Sequence, residues 1–419
     1  MNTRTYHDPL HFGIKLDSSK PAEEMIMKLI DSPPFQRLRR IRQLGPAFLT
    51  FHGAESSRFT HSLGVFHIAR KAFNLLIKID PEIETYRGLL YGASLLHDIG
   101  HGPLSHTGEE VFGLNHENWS AKLIKEHSGL NNILDTYSAG TSDRVAELLG
   151  EGKSPIILIK SLVSSQLDCD RLDYLVRDSY STGTRYGQLD IERILSALTI
   201  APDGDLAIHP KGLMAVEHYL VVRNLMYKSV YNHRLNEVCN WLLEKIISLA
   251  KELGPNKIWA DNDMAKWLWK KQELSINSFL ANDDIRTGYH LLRWSDEASE
   301  PLKDLCIRFL NRNLLKAIDI NKLSNNMQLE ALAIARKFSE ENRYDPNIYC
   351  GLRRHSLHGY HPYIGGLRLW DGTNLQALEN SSDLVKTLIK PIGTSWLIYP
   401  KEIHVKLKQS LNKLANNLG

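Results

Sequence analysis

The strongest chemical signal in the chain is Leu95-Leu96-His97-Asp98-Ile99-Gly100-His101-Gly102. A His-Asp pair says little alone, and the chain carries a second one, His7-Asp8, beside a proline. The setting of His97-Asp98 is different. The pair closes an apolar helical stretch, so a core positions it. Gly100 and Gly102 follow and let backbone approach a ligand closely. His101, His106 and His116-Glu117 come next, and His61 stands 36 residues before His97, just after Arg58-Phe59-Thr60. Further along, Asp170, Tyr174 and Asp178 share one i, i+4, i+8 ridge of a helix, while Asp173 and Arg177 form a separate i, i+4 pair that reads as structural. His61, His97, Asp98 and Asp170 make a nitrogen and oxygen ligand set. It suits a divalent metal of the Fe, Mn, Mg, Ni or Zn class with positions left for water or phosphate, and not a closed structural zinc site, which favours thiolates. An open site of that kind lowers the pKa of water and supplies a nucleophile at neutral pH. The plainer reading is a capped helix end with solvated imidazoles beside a salt-bridged surface helix.

These residues need elements to hold them. Apolar periodicity and stop signals predict helices over 22–30, 34–44, 61–79, 86–97, 118–127, 142–150, 154–164, 165–178 and 190–198. A small β-hairpin turns at Asp203-Gly204. A long helix runs from about 213 to 253 and is closed by Pro255. Shorter helices follow over 262–270, 275–282, 285–295, 300–309 and 328–341. A β-like region spans 346–371 and contains an Asp371-Gly372 turn. The expected fold class is mainly α: a helical core with a small β-hairpin and a mixed α/β C-terminal appendage. The expected division is a catalytic core at 1–255 and a C-terminal region at 256–419.

Composition excludes several classes. The chain has 419 residues, 42% of them apolar, enough for a large core without staples. Four scattered cysteines with no CxxC pair exclude a disulfide scaffold and a cysteine zinc finger. No apolar run is long enough to span a membrane, and the first residues lack the apolar core of a signal peptide, so a cytoplasmic location is expected. A net charge of +3 gives no general attraction to nucleic acid or membrane. Histidine is the outlier: nine of 18 fall within the first 116 residues. His52 and His67 lie outside the motifs and read as ordinary histidines.

Six ordered stretches carry a family resemblance. They are Asp31-Ser-Pro-Pro-Phe-Gln-Arg-Leu-Arg-Arg-Ile-Arg-Gln-Leu-Gly45, Arg58-Phe-Thr-His-Ser-Leu-Gly-Val65, His97-Asp-Ile-Gly-His-Gly-Pro-Leu-Ser-His106, His116-Glu117, Leu167-Asp-Cys-Asp-Arg-Leu-Asp-Tyr-Leu-Val-Arg-Asp178 and Arg223-Asn-Leu-Met-Tyr-Lys-Ser-Val-Tyr-Asn-His-Arg234. Over roughly residues 6–240 the chain resembles the HD-domain metal phosphohydrolases. Within them it is similar to the deoxynucleoside triphosphate (dNTP) triphosphohydrolases of the SAM-and-HD-domain-protein type and their bacterial relatives. The resemblance implies an HD-domain core in which His61, His97, Asp98 and Asp170 hold the metal. His101, His106 and His116 face the triphosphate, and His106 or His116 protonates the leaving 5′-oxygen. Arg58, Arg171 and Arg223 bind phosphates; Arg171 stands where the animal enzyme has lysine. Gln43 and Asp178 bond the 3′-hydroxyl. Leu44 and Tyr231 pack against C2′, and Tyr174 lines the same floor. Asn232 stands where the animal enzyme has glutamine at the base edge. The implied reaction is dNTP + H2O → deoxynucleoside + tripolyphosphate, with water attacking the α-phosphorus.

The resemblance also implies a homo-oligomer, a tetramer or dimer, activated by GTP or a dNTP. Asp31, Gln36 and Arg39 match residues that read a guanine nucleotide there, and Arg4 stands where the family has a lysine. Arg37, Arg39, Arg40 and Arg42 read equally well as the polar face of the 34–44 helix. Two other functions compete: an HD phosphohydrolase acting on another nucleotide or nucleic-acid phosphoester, and a nucleotide- or nucleic-acid-binding protein. The sugar-facing residues argue against the first, the intact ligand set against the second.

Overall fold

The computed structural model describes residues 3–150, 156–357, 359–362 and 366–416, without the side chains of residues 357, 392, 415 and 416. It is mainly helical with small sheets, the expected class. The chain forms two compact units, neither continuous in sequence. The first takes residues 1–226, 262–287 and 359–390, and the second takes 227–261, 288–358 and 391–419. The sequence reading drew one boundary at 255 instead.

In the first unit, the helix Arg58–Leu76 packs against Arg87–Leu96 and Cys169–Thr182. Most of its residues are buried, from Arg58 to Leu76, as in a helix enclosed by neighbours. Ser57 caps it, its side chain accepting from the Thr60 amide. Every residue from Gly88 to Leu96 is buried, so the core does position His97 at the end of that helix. Asp168 caps Cys169–Thr182, and Gly183, at φ +74°, ends it.

Several elements differ from expectation. The 34–44 helix is Pro33–Arg37 followed by a 3-10 turn, Leu38–Arg40. Ile41 is extended, at φ −124° and ψ 114°, because residues 41–43 pair with 56–58. The Gln43 amide donates to the Ser56 carbonyl at 2.8 Å and the Arg58 amide to Ile41 at 2.9 Å. The 213–253 helix is broken at the π turn Tyr227–Tyr231, between Leu213–Met226 and Arg234–Leu253. An antiparallel hairpin, Thr3–Asp8 with Phe12–Asp17, was not expected, nor were the helices Ser105–Phe112 and Ser128–Tyr137. The start of the 154–164 helix, at residues 154 and 155, lies outside the described residues, and Ile157–Val163 is helical. The small hairpin is Leu198–Ile200 with Leu206–Ile208. Ile208 pairs in parallel with Leu369 of a second hairpin, Arg368–Trp370 with Leu375–Ala377, which turns at Asp371-Gly372. That part of the expected appendage therefore belongs to the first unit.

The second unit has an antiparallel sheet in which Ile392–Tyr399 lies between Lys316–Asp319 and Gly351–Leu357. Helices Asn325–Glu341 and His404–Asn416 cover it through Ala331, Ala335 and Leu407, packed with Leu397 and Tyr399. All four cysteines are buried and unbridged. No helix among the described residues is long and apolar enough to cross a membrane.

Candidate functional site

Three elements of the first unit converge. Arg58–Leu76 brings His61, the end of Arg87–Leu96 brings His97 and Asp98, and Cys169–Thr182 brings Asp170. His61 Nε2 lies 2.9 Å from Asp170 Oδ1, 3.3 Å from His97 Nε2 and 3.6 Å from Asp98 Oδ2. His97 Nε2 is 3.4 Å from Asp98 and 3.6 Å from Asp170. The opposite nitrogens are committed. His61 Nδ1 donates to Asp173 at 2.8 Å and His97 Nδ1 to the Ser94 carbonyl at 2.9 Å. Both Nε2 atoms are thereby turned to the carboxylates, the arrangement a divalent cation needs. His61, His97 and Asp170 form a group able to hold a metal, so the donor set fits the cofactor.

The electrostatics agree. Burial pushes His61 down, but bonds to Asp170 and Asp173 outweigh it and raise the metal-free ring to about 10. Burial likewise opposes ionised Asp98 and Asp170, yet both stay well below the carboxylate range, Asp98 beside Arg58 and Asp170 on His61. Such crowding of opposed charges in a buried place is what makes this a candidate functional site.

The three further histidines form a second cluster. His101 stacks on His116 with centroids 4.0 Å apart, and His106 lies edge-on to both. Burial, with Arg58 and His116 nearby, holds His101 neutral. Glu109, missed from sequence, organises the others: it accepts from His106 Nδ1 at 3.0 Å, from His116 Nδ1 at 2.8 Å and from the His116 amide at 2.8 Å. Despite burial, these bonds keep it ionised. Its signal was the i, i+3 spacing from His106. Lys160 was also missed. It is the one charged residue of Ile157–Val163, donates to the Leu148 and Gly150 carbonyls, and is pushed down by burial.

A pocket of about 120 Å³ is lined by Gln43, Arg58, His97, Asp98, His106, His116, Glu117, Lys160, Asp170 and Tyr174, among others. Arg58 is buried and engaged, donating to Asp98 at 2.5 Å and to Ser105 Oγ at 2.7 Å. Arg171 and Arg223 instead line a larger cavity of about 560 Å³, which shares Ser164 with the first. Arg171 is paired with Asp168, and Arg223 donates to Gln166 at 2.9 Å. Asp178 is buried one turn beyond Tyr174, and Leu44 is half-buried before the 3-10 turn Gly45–Leu49. Tyr231 and Asn232 lie at the π turn that opens the second unit.

Two expectations need correction. Gly100 makes room for protein: a Cβ there would overlap the His116 carbonyl and the Ser120 amide. Gly102 lies likewise against Trp267. The arginine run is not one polar face. Arg37 is buried and donates to the Asn282 carbonyl twice and to the His101 carbonyl at 2.9 Å, so it braces the histidine loop. Asp284, also missed, accepts from the amides of Arg42 and Leu104 at 2.9 and 2.7 Å and joins the two segments. The four residues matched to a nucleotide reader are brought together in pairs. Arg4 bonds Asp31 at 2.6 Å, and Arg39 bonds Gln36 at 2.8 Å while lying over Phe59.

An HD domain is matched over residues 58–175 and an HD associated region over residues 189–263. The chain is similar to the uncharacterized protein YwfO of Bacillus subtilis, 33% identical over 98% of this chain and 96% of that protein. It is also similar to the deoxynucleoside triphosphate triphosphohydrolase SAMHD1 of Gallus gallus, 27% identical over 59% of this chain and 45% of that longer protein. A phosphohydrolase from Bacteroides thetaiotaomicron superposes with a TM-score of 0.82 at 26% identity, covering 95% of this chain and 100% of that one.

Proposed function

This chain belongs to the dNTPase-like family of HD-domain proteins, and we propose that it is a metal-dependent dNTP triphosphohydrolase releasing deoxynucleoside and tripolyphosphate. HD domains bind divalent metals, and SAMHD1 and the Bacteroides phosphohydrolase among the chain's relatives are hydrolases; the dNTP substrate is the proposed step. The observation that carries it is the convergence in one pocket of His97, Asp98 and Asp170 with His106, His116, Glu117, Gln43 and Tyr174.

When bound, the metal supplies a Lewis acid that lowers the pKa of water beside the phosphate. The chain's own residues do the rest. Arg58 holds Asp98 ionised and in place. Glu109 takes the Nδ1 hydrogens of His106 and His116, which leaves Nε2 of each ring for the substrate. One of those rings, carrying a proton on Nε2 as well, gives that proton to the departing 5′-oxygen. Neutral His101 stacks beneath His116 and fixes its plane. Arg171 and Arg223, in the adjoining cavity, take the phosphates beyond the scissile one. Gln43 and Asp178 bond the 3′-hydroxyl, and Leu44 and Tyr174 close the sugar floor. Arg4, Asp31, Gln36 and Arg39 receive a guanine nucleotide that activates the enzyme.

The test is product analysis. Each dNTP, singly and mixed, is incubated with Mn2+ or Mg2+, with and without GTP, and the products are separated by ion-pair chromatography. Deoxynucleoside and tripolyphosphate are expected, lost in His97→Ala. Deoxynucleoside monophosphate with pyrophosphate, or no turnover of any dNTP mixture by metal-loaded protein, would overturn the reading.

A further inference from the structure

The sequence shows His7-Asp8 as an idle repeat of the His-Asp pair and Asp173–Arg177 as a structural ion pair. The structure joins both regions to the metal site. Asp173 is fully buried and accepts four hydrogen bonds, which uses the acceptor capacity of a carboxylate. Two come from Arg177, Nε at 2.7 Å and Nη2 at 3.0 Å. One comes from His61 Nδ1 at 2.8 Å. The fourth comes from His11 Nε2 at 2.6 Å, across 162 residues of chain. His11 sits at the tip of the hairpin Thr3–Asp8, Phe12–Asp17. Asp8 builds that tip. Its Oδ1 accepts from the amides of Leu10 and His11, both at 2.9 Å, and its Oδ2 accepts from Arg177 Nη1 at 2.8 Å. The network closes on itself: Asp8 fixes the backbone of His11 and the head of Arg177, and both fix Asp173. From the other side, Gly64 of Arg58–Leu76 leaves the space Asp173 fills. A Cβ there would overlap Asp173 Oδ1 and lie 2.5 Å from Arg177 Nη2.

A surface hairpin has no need of this for its own stability. It exposes most of its residues and buries only Asp8, Ile14 and Leu16. The bonds end instead on the one nitrogen that decides which way His61 faces. We propose that the Asp8–His11 tip of the N-terminal hairpin is a positioning element of the metal centre: through Asp173 it holds His61 in the tautomer and ring orientation that present Nε2 to the metal. This rests on reading His61 as a metal ligand, and not on the identity of the substrate. A carboxylate behind a ligating histidine is worth about 10–100-fold in metal affinity. Here the carboxylate is itself aimed by a residue from the far end of the domain's sequence.

The test uses the full-length protein and Co2+ alone, titrated while visible absorption is recorded. One titration gives both affinity and the ligand-field spectrum. His11→Ala is expected to bind Co2+ about 10–100-fold more weakly, with shifted bands. His11→Gln, whose amide still donates to Asp173, is expected to recover most of the affinity and the native spectrum. Gly64→Ala, which pushes on Asp173 without touching His11, is expected to reproduce the alanine spectrum, and it and His11→Gln decide the matter should His11→Ala not fold. Co2+ affinity and spectrum unchanged in His11→Ala, with only a lower melting temperature, would overturn the proposal. So would wild-type protein that binds no Co2+. Altered Co2+ binding in a protein that leaves every dNTP intact would uphold the positioning role and remove the proposed substrate.

Discussion

Glu109 joins His106 and His116, accepting from Nδ1 of both rings. Glutamine in its place keeps the shape but loses the charge and one acceptor. Glu109→Gln is expected to lower kcat by about 10²-fold, the scale of losing an oriented general acid, with Co2+ affinity unchanged. Equal losses in kcat and metal affinity would place Glu109 in the metal site instead. His61 gives a pH prediction. Its ring is raised to about 10 in the metal-free protein, so a metal must displace a proton at neutral pH. Affinity should rise about tenfold per unit from pH 6.5 to 9; a flat profile by calorimetry would contradict this. At this scale the metal group was legible, because types, spacing and an apolar flank all pointed to one place. Glu109, Lys160 and Asp284 were not, because a carboxylate's or lysine's role is set by partners that only the fold supplies.

Elements were legible where periodicity acted alone and illegible where tertiary pairing overrode it. Ile41 continues the apolar stripe of 34–44, yet residues 41–43 leave the helix to pair with residues 56–58, which carries Gln43 into the pocket. The Thr3–Asp17 hairpin was missed because little of it is buried; its alternation is carried by Ile14 and Leu16 alone. The helix after His116 depends on close approach at Gly100, where the Gly100 amide bonds Ser120 Oγ and that hydroxyl bonds the His97 carbonyl. Gly100→Ala must push this helix away. We expect about 1–3 kcal/mol lost in denaturant unfolding and a larger fractional loss of activity, since His116 moves with the helix. Arg4 on the hairpin pairs with exposed Asp31. Arg4→Ala should leave folding within about 0.5 kcal/mol of wild type while raising the GTP concentration needed for half-activation. Unchanged GTP dependence would remove this cluster as the nucleotide reader.

Across the whole molecule, the sequence placed one boundary at 255, while each compact unit takes three separate segments of the chain. Periodicity could not show this. The apolar pattern runs on through Tyr227–Tyr231, where the π turn begins the second unit, and the helix Asp284–Glu297 likewise passes from one unit to the other. Activation by nucleotide would act at this scale, through assembly. Light scattering is expected to give a dimer or tetramer whose population rises with GTP and dNTP; full activity as a monomer would contradict that. The central claim is which bond breaks. Turnover of a dNTP in H2(18)O, read by mass spectrometry, tests it most directly. One labelled oxygen in tripolyphosphate and none in the deoxynucleoside is the predicted result. Label in a nucleoside monophosphate, or in inorganic phosphate released one group at a time, would contradict it.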